Sequence, residues 1–448
     1  MAKEKICLNS TVFSPSKLFV VTWLLAVGAA YIGPANIVYK RYNVVPVTFT
    51  VEGLLWIGSA TVAFLAGALI ANRTLLTIRS PLGTVKERLD AINWTKSDFW
   101  TLRAALVAIY VFAIVILLLL IFWTGLAIRE VGGLESFVSL TYQNWHKVRR
   151  LWPAQKPFTG GRLLYTGLIS VVIFSASGLA LLKQQRKLNT DNELRHRRFR
   201  RLFLILLLLG LVPLMVLPIL VSQRLLLATA LIGATISYLM VSPQGIPIRY
   251  PSIGVFLGFS VWTTQEVVRI GFSSGGLTAS LRYSVNKALF YFTNDVGNLN
   301  RGVAFVSERS YGFESFQFVF RYLFIEKTIQ DQFLQSFYTG IKPYGAGGTF
   351  TALGIPYLDF GIAGLLLIFF WGYVAQGAYV KAHQSVFAAQ IYGLLAASIV
   401  LSWHAAIWSN PFFWFNIGVL SLLVNLVPII RLKMVDEKAS KSRGGLEG

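Results

Sequence analysis

Residues 104–128 read AALVAIYVFAIVILLLLIFWTGLAI, without a single charged side chain. An apolar run of about 20 residues is long enough to cross a hydrocarbon core about 30 Å thick. Because lipid offers no hydrogen-bond partners, a run this long and this continuously apolar satisfies its backbone as a helix rather than as a barrel strand. The stretch therefore predicts a membrane-spanning α-helix.

The same pattern recurs along the chain. The chain is 55% hydrophobic and carries a formal net charge of +22, a combination that is not typical of a soluble domain of this length. We predict an all-α polytopic integral membrane protein with about ten transmembrane helices in a single domain, 1–448. The predicted spans are 18–33, 50–72, 104–128, 163–182, 202–221, 225–241, 252–268, 353–379, 386–401 and 411–430.

Other sequence features exclude several classes of protein. The single cysteine, Cys7, excludes a disulfide framework and a cysteine metal site. The apolar segment 18–33 is followed by further spans, so we interpret it as the first of them and not as a cleavable signal peptide. The charged tail, 434–448, is expected to be disordered and cytoplasmic. Nothing in the sequence indicates a nucleic-acid partner.

The positive charges predict a topology. Lysine and arginine are enriched in short cytoplasmic loops. With ten spans, the basic segments at 73–103, 183–201 and 431–443 all fall on the side of the N-terminus. Both termini are therefore expected in the cytoplasm, and the interval 269–351 is expected outside.

The interval 269–351 is the one long part of the chain without a predicted span. It mixes charged and aromatic side chains, a composition that suits binding of an anionic, sugar-like ligand. We expect a large external loop that contains short amphipathic helices. One such helix is expected over 313–324, where Phe313, Phe316, Phe320 and Phe324 recur at helical spacing.

Three arginines are candidates for binding a diphosphate. Arg224 stands in Ser222-Gln223-Arg224, the only break between two strongly apolar spans, where a charge is costly unless it is paired or hydrated. It offers donors to a phosphate, or it is a snorkelling residue at a tight helical hairpin. Arg269 ends the seventh span. One interpretation is that it binds the same anion as Arg224, and the alternative is an ion pair with Glu266. Arg282 follows a flexible segment and completes the predicted set.

Four residues are candidates for the acid or base of a catalytic site. Asp295 and Glu308 lie on the predicted external loop, Asp359 at the external end of the eighth span, and His404 between the last two spans. The alternative for each is a local structural role, as a turn cap, a loop ion pair or a packed histidine. We expect no metal and no other cofactor, because the chain contains no D-x-D pair of the kind that holds a metal for phosphate chemistry.

Short motifs between 202 and 381 resemble those of bacterial Wzy-type polymerases, which join oligosaccharide repeat units of O-antigen, capsule and related polysaccharides. The resembling residues are Ser222-Gln223-Arg224, Arg269, Tyr283 with Asn286, Gly312-Phe313-Glu314-Ser315-Phe316, and Thr351 followed by Tyr357-Leu358-Asp359-Phe360-Gly361-Ile362-Ala363-Gly364. Outside this region the likeness is one of hydropathy only.

The resemblance implies a glycosyltransferase at the outer face of the bacterial cytoplasmic membrane. Its donor is a glycan on undecaprenyl diphosphate, and its acceptor is one repeat unit on the same lipid. Its partners are these lipids, the bilayer, a chain-length regulator and a flippase. Two alternatives stay open: an O-antigen ligase, which shares this architecture, and a lipid-linked oligosaccharide flippase or secondary transporter, which would show inverted repeats and buried charge pairs.

Overall fold

The computed structural model describes residues 7–8, 10–33, 49–77, 96–143, 161–185, 193–221, 224–242, 246–247, 249–270, 276–341 and 350–425. The tail predicted at 434–448 lies outside them. The α-helices are α1 Pro15–Ile32, α2 Val51–Thr77, α3 Lys96–Glu130, α4 Leu134–Gln143, α5 Gly161–Thr166, α6 Leu168–Gln185, α7 Glu193–Val221, α8 Arg224–Val241, α9 Arg249–Ile270, α10 Gly276–Phe305, α11 Gln317–Tyr322, α12 Glu326–Phe333, α13 Gln335–Ile341, α14 Gly354–Phe360, α15 Gly364–Ala382, α16 Val386–Val400 and α17 Pro411–Asn425.

Seven helical stretches of the described chain are long and apolar enough to cross a membrane, by length and composition. Three shorter apolar helices coincide with the remaining predicted spans. The prediction of an all-α polytopic membrane protein is therefore confirmed. The seven are Pro15–Ile32, Val51–Thr74, Leu106–Glu130, Leu163–Lys183, His196–Val216, Arg224–Val241 and Gly354–Ala382, and the three are Ser252–Thr264, Val386–Val400 and Pro411–Leu422.

The span predicted at 353–379 is not one continuous helix. Helix α14 ends at Phe360, a 3-10 turn follows over Gly361–Ala363, and α15 begins at Gly364. Gly361 adopts a φ of 59°, a conformation that L side chains rarely take. A break in a helix of this kind is tolerated at membrane depth where protein, rather than lipid, surrounds it.

The interval 269–351 contains a helix longer than the sequence analysis expected. Helix α10 spans 30 residues. Its apolar side chains Val296, Leu299 and Val303 share one face and join a buried cluster with Phe19 of α1 and Trp56 of α2. The first half of the interval is therefore a helix docked on the membrane helices, and not a loop with short helices.

The second half of the interval has a different structure from the predicted helix 313–324. Residues 311–316 form turns, and α11 covers only Gln317–Tyr322. Phe313 and Phe320 stack with ring centroids 5.0 Å apart, although Phe313 lies in the turns and not on α11. Phe324, in contrast, has a φ of 57° and is exposed, because the chain turns there toward α12.

The two ends of the bundle are set by contacts between helix termini. Trp56, near the start of α2, donates its Nε1–H to the carbonyl of Leu353, 2.9 Å away. Near the other end of α2, Gln376 of α15 donates to Asn72, 3.3 Å away. Helices α2 and α15 therefore run in the same direction. We call the two ends the Leu353 end and the Phe13 end, since Phe13 packs in one cluster with Ala382, the last residue of α15.

The N-terminal segment lies at the Phe13 end. The hydroxyl of Tyr392, on α16, donates to the carbonyl of Phe13. Strand β1, Cys7–Leu8, pairs antiparallel with strand β2, Ile246–Pro247, which lies between α8 and α9. Helices α8 and α16 therefore have opposite directions: α8 ends near this end and α16 begins there.

Helices α2 and α15 approach closely through two glycines. A Cβ at Gly67 would lie 2.0 Å from the carbonyl oxygen of Phe369, and one at Gly372 would lie 2.2 Å from that of Phe64. Small residues at helix contacts allow backbones in a membrane to approach in this way. The carbonyls belong to helical backbone, so neither can move aside without shifting a helix.

We predict that Gly67→Ala separates α2 from α15 and lowers the free energy of unfolding by about 3 kcal/mol, the upper part of the range for overpacking. The measurement is the apparent midpoint of thermal unfolding of the purified protein in detergent. Gly58→Ala, on the same helix, is the matched control because nothing lies within 4 Å of its added Cβ. Equal midpoints for the two variants would contradict the close approach.

Candidate functional site

Two of the predicted acid–base residues lie in contact. Nδ1 of His404 is 2.6 Å from Oδ2 of Asp295, although 109 residues separate them in the chain. The side chain of Asp295 is 0% exposed, and that of His404 is 28% exposed. The structure thus brings a fully buried carboxylate and a partly accessible imidazole together as an Asp295–His404 pair.

The pair is held by its neighbours on both sides. Asp295 belongs to α10, and His404 to the turn that follows α16. The adjacent Trp403 stacks on Phe292 of α10, with ring centroids 3.8 Å apart. Ser402 accepts a backbone hydrogen bond from Ala352, 2.8 Å away, which ties the turn to the Leu353 end. Packing on α10 and backbone pairing therefore fix the position of the imidazole.

This geometry suits a general base. A carboxylate at Nδ1 holds the ring in one orientation and favours the tautomer with the proton on Nδ1, which leaves the lone pair on Nε2. The imidazole is 28% exposed, so part of the ring is accessible while the carboxylate beside it is buried. A histidine held in this way can take a proton from a hydroxyl group.

A row of aromatic and cationic side chains leads from Arg224 to His404. The guanidinium carbon of Arg224 lies 3.7 Å from the centroid of the Trp262 ring on α9. Trp262 meets Tyr291 of α10 edge to face at 5.4 Å, and Tyr291 meets His404 edge to face at 5.8 Å. Contacts of this kind are favourable and orient the charged groups.

Lys287 adds a second cation to the row. Its Nζ lies 4.8 Å from the Phe290 centroid and 5.3 Å from the Tyr291 centroid, and the residue is buried. We call Arg224, Trp262, Lys287, Tyr291 and His404 the cationic row. It is positioned by α8, α9, α10 and the turn after α16, so four separate parts of the chain build it.

The position of Arg224 argues against simple snorkelling. It is the first residue of α8, where the helix dipole is positive and disfavours a cation. A snorkelling side chain would extend into water. The guanidinium of Arg224 instead packs over an aromatic ring, and its Nη1 is buried.

The structure does not bring the other two predicted arginines, Arg269 and Arg282, into described contact with Arg224. Arg269 lies in the last turn of α9, and its side chain is outside what the structure describes. Arg282 lies on α10 and is exposed; its carbonyl accepts a hydrogen bond from Asn286, 2.9 Å away. The convergence of Arg224, Arg269 and Arg282 on one anion therefore stays a prediction.

Asp359 is engaged by the backbone of a turn. Its carboxylate accepts hydrogen bonds from the hydroxyl of Ser310 and from the amides of Glu314 and Ser315, the last at 2.6 Å. It is buried beneath these donors. The geometry matches the turn-cap alternative, in which Asp359 holds residues 310–315 against α14.

Glu308 lies just beyond α10, in an extended segment, and is exposed. The neighbouring Arg309 packs its guanidinium over Tyr357, 4.7 Å from the ring centroid, and donates to the carbonyl of Val306, 2.9 Å away. Neither residue is described in contact with the Asp295–His404 pair. Within the described chain, no group of three or more His, Cys, Asp or Glu side chains is arranged to hold a metal ion.

Trp262, Lys287 and Tyr291 complete the site. The sequence assigns no role to Trp262, and it includes Lys287 and Tyr291 only in the mixture of charged and aromatic side chains of 269–351 that suits an anionic, sugar-like ligand. One signal was available for part of this set. Lys287, Tyr291 and Asp295 recur every four residues and share a face if the segment is helical. The repeat indicates a shared face only in a helix, and 269–351 was predicted to be a loop. Trp262 could not be distinguished from the other apolar residues of its predicted span.

Comparison of the chain with protein-family models, with curated proteins and with solved structures found no match. The chemistry assigned to the site therefore comes from its own residues.

A half-buried acid, Glu314, lies in the turn that Asp359 holds. Glu314 accepts a hydrogen bond from the hydroxyl of Tyr338. Burial raises the pKa of Glu314, and the nearby charge of Asp359 acts in the same direction, while the Tyr338 hydrogen bond opposes them. The pKa of Tyr338 is raised by burial and by Glu314.

We predict that Glu314 makes the folded protein less stable as the pH rises. Its raised pKa means that the folded state binds the proton more tightly than the unfolded state. The stabilisation is complete below the ordinary glutamate pKa of about 4.3 and is lost as the pH passes the raised value. Glu314→Gln should flatten this slope and raise the unfolding midpoint at pH 8, measured in detergent across pH 4.5–8.

The exposed Glu308 supplies the control. Glu308→Gln removes the same formal charge without removing a half-buried one, so its profile should follow that of the unmodified protein. A profile for Glu314→Gln as steep as that of Glu308→Gln would show that Glu314 is not the source of the pH dependence.

Proposed function

We propose that this protein is a metal-independent membrane glycosyltransferase that polymerises undecaprenyl-diphosphate-linked oligosaccharide repeat units into O-antigen, capsular or related surface polysaccharide. The observation that carries the proposal is the Asp295–His404 pair at one end of a row that holds two cations, Arg224 and Lys287. A base beside a cationic surface is what transfer of a sugar from a lipid diphosphate to a hydroxyl requires.

The proposed reaction assigns one task to each part of the site. Nε2 of His404 takes the proton of an acceptor hydroxyl as its oxygen bonds to the anomeric carbon of the donor sugar. The bond between that carbon and the diphosphate oxygen breaks, and the electron pair leaves with the lipid diphosphate. Arg224, assisted by Lys287, stabilises the negative charge that develops on the leaving group. Arg269 and Arg282 remain candidates for the same anion.

The proposed location follows from the two ends of the bundle. The site lies at the Leu353 end, and the N-terminal strand β1 lies at the Phe13 end. Lys183, in the last turn of α6, lies 6.0 Å from the ring centroid of Tyr238 toward the end of α8, so this basic residue lies at the Phe13 end. The positive-inside rule then puts both termini in the cytoplasm and the site on the periplasmic face of the bacterial cytoplasmic membrane. The partnership with a chain-length regulator and a flippase rests on the resemblance alone.

A ligase reaction uses the same chemistry with a different acceptor, so the pair and the row do not separate it from a polymerase. Two features favour a secondary transporter: the interrupted helix α14–α15 and the ionisable Asp295–His404 pair. The site residues of a transporter would bind the same lipid-linked glycan without transferring it.

The experiment incubates purified protein, in detergent and in parallel in proteoliposomes, with lipid-linked repeat units and no added metal. A ladder of lengthening glycans supports the polymerase, a single transfer to a lipid A core acceptor supports the ligase, and movement across proteoliposomes without products supports the transporter. A ladder that appears only with added Mg²⁺ would contradict the metal-independent mechanism.

We predict that His404→Ala lowers kcat by about 10²–10⁴-fold, the usual contribution of a general base. Arg224→Ala should abolish long products, and Arg224→Lys should restore only part of the activity, because a lysine keeps the charge but not the planar fork. Arg321→Ala is the control, since it removes an equally cationic side chain that pairs with Glu326 away from the row.

Size-exclusion profiles must show that every variant is folded. Normal chain lengths from a folded Arg224→Ala protein would contradict the role of that residue, and an unchanged kcat in His404→Ala would contradict the base.

A further inference from the structure

Helix α10 carries a stripe of polar side chains along about half of its length. Lys287, Tyr291, Asn294, Asn298 and Arg301 follow one another at spacings of four, three, four and three residues, which puts them on one face. The apolar residues Val296 and Leu299 occupy the opposite face. We call these five residues the polar stripe.

Three residues of the polar stripe, Lys287, Asn294 and Asn298, are buried although they are polar, and Tyr291 and Arg301 are half-buried. Asn294 is 1% exposed and Asn298 is 0% exposed. Each amide uses one of its two groups: Asn294 donates to Oδ1 of Asp295 at 3.3 Å, and Asn298 accepts from Nη2 of Arg301 at 2.7 Å. Burial also lowers the pKa of Arg301.

Three polar atoms of the stripe lack a hydrogen-bond partner among the described residues. In the part of the chain that the structure describes, Oδ1 of Asn294, Nδ2 of Asn298 and Nε of Arg301 are buried without a hydrogen-bond partner. Native proteins rarely leave such atoms unpaired, because each loses its hydrogen bonds to water without replacement. A ligand that supplies the missing partners would therefore favour a conformation in which the stripe is uncovered.

The chemistry of the three atoms selects the ligand. One of them accepts hydrogen bonds, and two donate. The oxygens of an ionised diphosphate only accept, so they would satisfy Asn298 and Arg301 but would repel Oδ1 of Asn294. Sugar hydroxyls both donate and accept, and they can satisfy all three. Asn294 and Arg301 are about 10 Å apart along the helix axis, so one oligosaccharide can reach both.

We infer that the polar stripe is a sugar-binding surface for the oligosaccharide, covered in this conformation and uncovered when the sugar binds. The assignment of that sugar to the repeat unit rests on the proposed function. Asp295 directly follows Asn294 and contacts His404, so a sugar bound along the stripe has hydroxyls next to the Asp295–His404 pair.

The single native cysteine makes a direct test simple. In a Cys7→Ser background, Asn298→Cys reports on the polar stripe, and Val296→Cys, nearly isosteric and also 0% exposed, reports on the opposite face of the same helix. The rate of maleimide labelling is measured in detergent for both. Asn298→Cys should react at least about tenfold faster than Val296→Cys, since only the stripe is expected to open without unfolding.

The probes are the oligosaccharide released by mild acid from the polyprenyl-diphosphate carriers of the producing bacterium and, in parallel, inorganic pyrophosphate. Protection of Asn298→Cys by the oligosaccharide and not by pyrophosphate is the expected result. Equal labelling of the two cysteines, protection by pyrophosphate alone, or no protection by either probe would overturn the inference.

The two proposals fail separately. If the oligosaccharide protects the stripe but lipid-linked repeat units are never joined, the stripe binds sugar and the transferase proposal is wrong. If repeat units are joined while Asn298→Cys stays as unreactive as Val296→Cys, the transferase proposal survives and the stripe is not a sugar site.

Discussion

A carboxylate with no exposed surface must find donors inside the protein, because transferring an unpaired ion out of water costs several kcal/mol. Asp295 meets this constraint through His404, 2.6 Å away, and through the side-chain amide of Asn294, 3.3 Å away. The contact with His404 joins α10 to a turn more than a hundred residues further along the chain. Removing either partner breaks this contact, so the pair couples the position of α10 to that of the turn.

The spans supply the frame in which this pair forms. Helices α1 and α2 bind the apolar face of α10, and the hydrogen bond from Trp56 to Leu353 aligns α2 with the start of α14. The turn after α16 packs against α10 and pairs with the backbone just before α14. The other residues of the cationic row therefore lie on packed helices, and the imidazole lies on a turn that is packed against α10, an arrangement that keeps a reactive group in a defined geometry.

The membrane architecture could be predicted from the sequence because one physical constraint dominates it. A segment that crosses lipid must be apolar over about 20 residues, and that signal is local. The position of α10 could not be predicted in the same way. Its amide and charged side chains lower its hydropathy, and its burial depends on partners from α1, α2 and the turn after α16, which no local pattern reveals.

The candidate site was predicted in part for the same reason. Residue type and predicted side of the membrane were enough to select Arg224, Asp295 and His404. Pairing could not be predicted: nothing local distinguishes Asp295, which contacts a histidine, from Asp359, which caps a turn. Trp262 was missed because its role depends on a guanidinium from another helix.

The Asp295–His404 pair is tested most directly by nitrogen NMR on protein labelled only at its four histidines. In detergent at neutral pH, one imidazole should hold a proton on Nδ1, with a downfield and slowly exchanging signal. That signal should disappear in Asp295→Asn and in His404→Gln. A spectrum in which no such proton is present, or in which it persists after Asp295→Asn, would contradict the pair and the mechanism built on it.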